Sequence, residues 1–218
     1  MEKRVGLLRL EGINVNIVMG NNPGQPVDVI IVSEYPDRVS EVAKKYASQG
    51  FGPDVERYDK QVHIKPFKHG DAYFSRFAMG NAYPAHILYL THVVTLGAAP
   101  EKQFETVYKA VFRAMCMANQ DTPTRAERIA VPFNLGADAL TPEQNARAII
   151  GAVDAFSRIC GYSIVQEVVL CTDKEAMDAA EKVLAEDSYR GFGTQEGQAP
   201  FDPDKWVVED EGCSFCKD

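Results

Sequence analysis

Two short stretches concentrate the groups that could bind or transform a small molecule. Residues 33–38 place Ser33, Glu34, Tyr35, Asp37 and Arg38 within six positions. Arg38 offers a guanidinium for an anion, Tyr35 an aromatic face, and Glu34 and Asp37 carboxylates that could activate water. The second stretch, Asn134, Leu135, Gly136, Ala137 and Asp138, leads into Thr141-Pro142-Glu143-Gln144. A Thr followed by Pro, and by Gln three positions on, is the signature of a capped helix start. The free N–H groups of such a start attract phosphate, and the N–H groups around Gly136 and Ala137 are expected to make the anion contacts. Asp138 would repel an anion unless its side chain turned away. Each stretch alone is more simply a connection between a strand and a helix.

Other chemistry is thin. No GxGxxG follows a strand, and there is no Walker loop, GxSxG elbow or HExxH pair, so no cofactor and no metal is expected. The four histidines, His63, His69, His86 and His92, are scattered. His92 lies in an apolar run that suits a hydrogen-bonded core residue, and His69-Gly70-Asp71 reads as a turn. Met115 and Met117 are expected to pack. Of five cysteines, Cys116, Cys160 and Cys171 sit in apolar segments as core residues would. Cys213 and Cys216 form a single CxxC pair near the C-terminus, and a zinc site of this type needs a second pair. These thiols are expected to be free, in a reducing, cytoplasmic compartment.

The elements that must position these stretches alternate between strand-like and helix-like. Residues 27–32 are nearly all β-branched, as a strand buried on both faces should be. Val39, Val42, Ala43 and Tyr46 then keep helical spacing, and Gly50 can stop that helix. Residues 51–68 are rich in charge, Gly and Pro and predict a loop with a short strand at Val62-His63-Ile64. A strand at 86–94 and a long helix at 100–119 come next, the helix marked by the stripe Phe104, Val107, Tyr108, Val111, Met115 and Ala118. Residues 128–133 predict a buried strand, and Thr141 starts a helix running to Gly161. Residues 163–171 predict another strand, and the capping pattern Thr172-Asp173-Lys174-Glu175 opens a last helix ending near Ala185. This alternation predicts an α/β domain with helices on both faces of a largely parallel sheet. The domain is expected to span residues 1–187, with an acidic, aromatic tail at 188–218.

The chain of 218 residues has 31 acids against 23 bases, a net charge of −8. Residues 196–218 hold seven acids and two lysines, so most of the excess belongs to the tail. A dedicated duplex-nucleic-acid binder needs clustered Lys and Arg, and no duplex partner is expected. No apolar run approaches the roughly 18 residues of a membrane span, and the first residues lack a signal-peptide pattern. A soluble chain without a membrane partner is expected.

Several segments, in order, resemble the macro domain, an α/β/α module associated with ADP-ribose. Residues 15–21 resemble its opening strand and Gly-Asp turn, and 27–32 are similar to its "VDAIVN" strand. Gly70-Asp71-Ala72 matches a G-x-A turn, Leu90-Thr91-His92-Val93-Val94 its "VIHxV" strand, and Tyr108 a helical tyrosine. Ile129-Ala130-Val131-Pro132, with Leu135-Gly136 and a capped helix after it, resembles its second phosphate loop. The resemblance covers roughly residues 13–187 and implies a three-layer α/β/α fold with a mixed, largely parallel sheet. It puts Asn21 where the family's adenine-reading Asp stands. Val32 and Tyr35 replace two family asparagines, the glycine-rich first phosphate loop is missing, and only Gly136 remains of the second loop's glycines.

The resemblance therefore implies a nucleotide-type or phosphorylated small ligand, ADP-ribose-like, held between the two loops. Those departures argue against ADP-ribosyl hydrolysis. The rival expectation is a non-enzymatic scaffold, its cleft closed by Tyr35 and Phe133, that meets a protein partner through the tail. In a third, Phe201 or Trp206 folds over the cleft as a lid.

Overall fold

In the computed structural model the described residues are 4–10, 12–20, 27–46, 48, 52–65, 67–74, 85–91, 97–120, 126–160 and 163–186. The run of β-branched residues expected to be buried on both faces forms β3 (Val27–Ser33). Val29 and Ile31 face one layer of helices, and Ile30 and Val32 face the other. That alternation is set by the period of two along a strand.

The remaining strands are β1 (Arg4–Leu10), β2 (Ile13–Met19), β4 (Ala72–Phe74), β5 (Ala85–Thr91), β6 (Arg128–Pro132) and β7 (Glu167–Thr172). They build one sheet in the order β1-β2-β7-β6-β3-β5-β4. The inner strands β2, β7, β6, β3 and β5 run parallel, while β1 and β4 pair antiparallel at the two edges. Helices α1 (Glu41–Tyr46) and α2 (Gly52–Ile64) cover one face, and α3 (Pro100–Gln120), α4 (Pro142–Ile159) and α5 (Lys174–Ala185) the other. The expected three-layer α/β/α architecture with a mixed, largely parallel sheet is what the chain adopts.

The larger core lies under α3 and α4, whose stripes Phe104, Val107, Val111 and Met115, and Ile149, Val153 and Phe156, are buried. Phe112 meets Phe156 edge-on at 6.4 Å, a favoured aromatic geometry. Asp28 fixes the start of β6, because its carboxylate accepts the N–H groups of Glu127 and Arg128 at 2.9 and 2.8 Å. No helix among the described residues is long and apolar enough to cross a membrane.

Four local expectations need correction. Residues 51–68 are mostly helix, not loop, and the expected strand at Val62-His63-Ile64 is the last turn of α2. Val55, Tyr58 and Val62, spaced i, i+3, i+7, are buried on the sheet, and this sparse stripe was hidden among charges. The strand expected at 163–171 begins only at Glu167, because Ile164 is drawn to α3, its N–H donating to Asn119 Oδ1 at 2.7 Å. The last helix is capped by Asp173, one residue after Thr172, since it is the Asp173 Oδ1 that accepts the Ala176 N–H, at 2.9 Å. The Gly70-Asp71-Ala72 turn is packed on α3 and runs into β4. The tail and residues 92–94 lie outside the described residues.

Gly70 is required by its backbone. Its φ is +83°, and a Cβ there would lie 3.2 Å from Lys109 Cβ on α3. Arg113 holds the same turn, donating to Gly70 O at 2.9 Å and meeting Asp71 Oδ1 at 3.3 Å. Gly70→Ala should therefore destabilise the fold by about 1–2 kcal/mol, the cost of a left-handed non-glycine residue, read as a lower urea midpoint with an unchanged slope.

Candidate functional site

The parallel strands deliver their succeeding residues to one edge of the sheet. Tyr35, just beyond β3, Phe133 after β6 and Asp173 after β7 all line a cleft of about 440 Å³ at that edge. In sheets of this kind ligands collect at the carboxyl ends of the strands. The loop 133–140 forms one wall, and the first turns of α4 and α5 form the others.

The sequence-expected residues divide by position. Tyr35, Asn134, Gly136, Ala137 and Asp138 line the cleft. The hydroxyl of Ser33 donates to Leu135 O at 2.6 Å, which ties the two loops together. Leu135 turns its side chain into the core and is not among the described residues that line the cleft. Asp37 and Arg38 are exposed, and the Arg38 guanidinium lies 4.1 Å from the centroid of the Tyr35 ring, a cation–π contact. Asn21 lies outside the described residues.

Glu34 is fully buried and is not a cleft carboxylate. Its oxygens accept the Ser40 backbone N–H at 2.7 Å and the Ser40 hydroxyl at 2.6 Å. It closes the 35–39 loop onto the start of α1 instead of facing a substrate. From the other side, Tyr58 on α2 donates its hydroxyl to Tyr35 O at 3.0 Å. Tyr58 also stacks on Phe67 at 5.6 Å, so Tyr35 rests on a rigid support.

Loop 133–140 is held just as firmly. The Gly136 N–H, expected to be available to an anion, donates instead to Asn134 Oδ1 at 2.9 Å, and the backbone turns there with φ +81°. Gln103, buried on α3, donates to Asp138 Oδ1 at 2.9 Å and accepts the Ala139 N–H at 2.9 Å. The capping box of α4 is complete, with the Gln144 N–H on Thr141 Oγ1 and the Thr141 N–H on Gln144 Oε1.

Asn145, Asp173, Glu175 and Ala176 also line the cleft, and sequence reasoning missed them. A signal for Asn145 exists: it falls on the buried stripe of α4 with Ile149, Val153 and Phe156, where a polar residue is out of place. It is 6% exposed, and its Nδ2 donates to Phe133 O at 2.5 Å. Among the described residues no donor meets its Oδ1. Asp173 and Glu175 could have been found by asking which loop comes after the strand next to β6.

Burial pushes the Cys160 thiol up to about 11 and Cys171 up to about 12, so these are core thiols. Among the described residues no group of three His, Cys, Asp or Glu could hold a metal ion.

Burial also raises the Glu34 carboxyl above its ordinary value of 4.5, against the Ser40 hydrogen bonds that lower it. A folded-state value above the unfolded one means the native state holds the proton more tightly. The resulting stability is fully present below pH 4.5 and is lost as pH rises through the raised value. Relative to Glu34→Gln, which cannot titrate, the wild type should become more stable as pH falls from 7 towards 4.5. Urea unfolding of both proteins across that range measures the difference.

No protein-family model and no curated protein matches the sequence. Solved structures do match. A macrodomain from Oceanobacillus iheyensis with MES bound superposes with a TM-score of 0.68 at 11% identity, covering 86% of this chain and 98% of that one. The same macrodomain with ADP gives 0.67 at 11% identity over 86% and 98%. A Trypanosoma brucei macrodomain in complex with ADP-ribose gives 0.57 at 12% identity over 77% and 68%. At these identities the likeness is one of fold, and the macrodomain fold expected from the ordered segments is the fold observed.

Proposed function

We propose that this macrodomain-fold chain binds a nucleotide-type small molecule in the cleft between Tyr35 and the loop 133–140. The reading is carried by the position of that cleft, at the carboxyl ends of β3, β6 and β7. It is supported by the same fold in structures that contain ADP and ADP-ribose. Tyr35 supplies a supported aromatic face for a base, with Arg38 at the rim for negative charge.

Binding without hydrolysis is the form of this function that the local chemistry favours. Of the two carboxylates that the sequence offers for water activation, Glu34 is sequestered by Ser40, and of those that line the cleft Asp138 accepts from Gln103 and Asp173 caps α5. Asp37 is exposed and outside the cleft lining.

Calorimetric titration of the full chain with ADP-ribose, ADP and adenosine tests the reading. Binding of at least one of them is expected, and Tyr35→Ala should weaken it about tenfold, since base–aromatic stacking contributes roughly 1–3 kcal/mol. Absence of heat from all three at millimolar concentration would overturn it.

A further inference from the structure

The cleft has the wrong polarity for a phosphate cradle. Five backbone donors around the cleft that could hold an anion are already occupied by an oxygen of the chain. Gly136 N–H is taken by Asn134, Ala139 N–H by Gln103, the α4 N-terminus by Thr141 and Gln144, and the α5 N-terminus by Asp173. The side chains that line the cleft add Asp138, Asp173 and Glu175, and no Lys, Arg or His is among the described lining residues.

A second observation is independent of these charges. Asn145, 6% exposed, forms part of the lining, and its amide orientation is fixed because only Nδ2 can donate to Phe133 O. Among the described residues its Oδ1 is left as a buried acceptor without a donor. Such a group is costly to leave unmatched, and a ligand N–H that meets it recovers that cost. The three carboxylates do not converge as a metal site, so the wall suits spaced donors of an organic group.

We propose that the inner cleft recognises the hydrogen-bond-donating end of its ligand, an amino-bearing neutral or cationic group, with Asn145 as the specificity-determining acceptor. A phosphate, where the ligand has one, stays outside near Arg38. The Tyr35 ring already accepts the Arg38 guanidinium on one face, a contact that an aromatic ring of this wall can make with a cation. The inference rests on the ligand-site reading above and adds which end of the ligand enters.

The test is low-salt calorimetry of the full chain with adenosine, ADP, purine riboside (which lacks the exocyclic amine) and agmatine, an alkylguanidinium. Adenosine should bind at least as tightly as ADP and about tenfold more tightly than purine riboside. A variant carrying Asp138→Asn, Asp173→Asn and Glu175→Gln keeps an acceptor oxygen at each position, and Asn still caps α5. It should raise the ADP-to-adenosine affinity ratio about tenfold, the sum expected of three partly exposed charges. Tenfold preference of the wild type for ADP over adenosine, or an unchanged ratio in the variant, overturns the proposal and leaves nucleotide binding standing. Equal affinity for adenosine and purine riboside removes the role given to Asn145. Binding of agmatine alone keeps the acceptor wall and overturns the nucleotide reading, and silence from all four probes overturns both.

Discussion

Burial of β3 on both faces is the constraint on which the rest of the structure depends. Val29 and Ile31 need α3 and α4 above them, and Ile30 and Val32 need α1 and α2 below. Its neighbours β5 and β6 run parallel to it, and parallel strands covered on both faces are reached by helical crossovers. All the βα connections from the inner strands then open at one edge. The cleft is a by-product of that topology, filled in by whatever residues come after the strands.

The loops beyond the strand ends satisfy most of their own hydrogen bonds. A carboxylate in Glu34, a hydroxyl in Ser33 and three amides, Gln103, Asn134 and Asn145, bind neighbouring backbone or side-chain groups and hold the loops. Polar groups at a buried loop must be matched, since each unmatched one costs about 1–3 kcal/mol. Meeting that demand internally leaves a rigid wall of acceptors. The electrostatic character of the cleft thus comes from the same hydrogen bonds that stabilise its walls.

Much of this was legible in the sequence. The β-branched run of β3, the stripe of α3 and the Thr141–Gln144 capping box are local signals, and all three formed as expected. The loops flanking the cleft were found because strand–helix junctions can be read in one dimension. Helix α2 was missed because only Val55, Tyr58 and Val62 mark it, and its burial depends on a sheet assembled from distant strands. Glu34 was misplaced for a related reason, as nothing local says that Ser40 folds back over it. Asp173 and Glu175 reach the cleft because β7 lies beside β6, and strand order is a long-range fact.

The central claim is that the edge above β3, β6 and β7 is where a ligand sits. Mapping amide and side-chain chemical shifts during titration with adenosine addresses it directly. Perturbation should concentrate at Tyr35, Ala137, Ala176 and the Asn145 side-chain amide, leaving the exposed face of α2 unaffected. Saturable shifts confined to α2 or to the opposite, amino-terminal edge of the sheet would contradict the account.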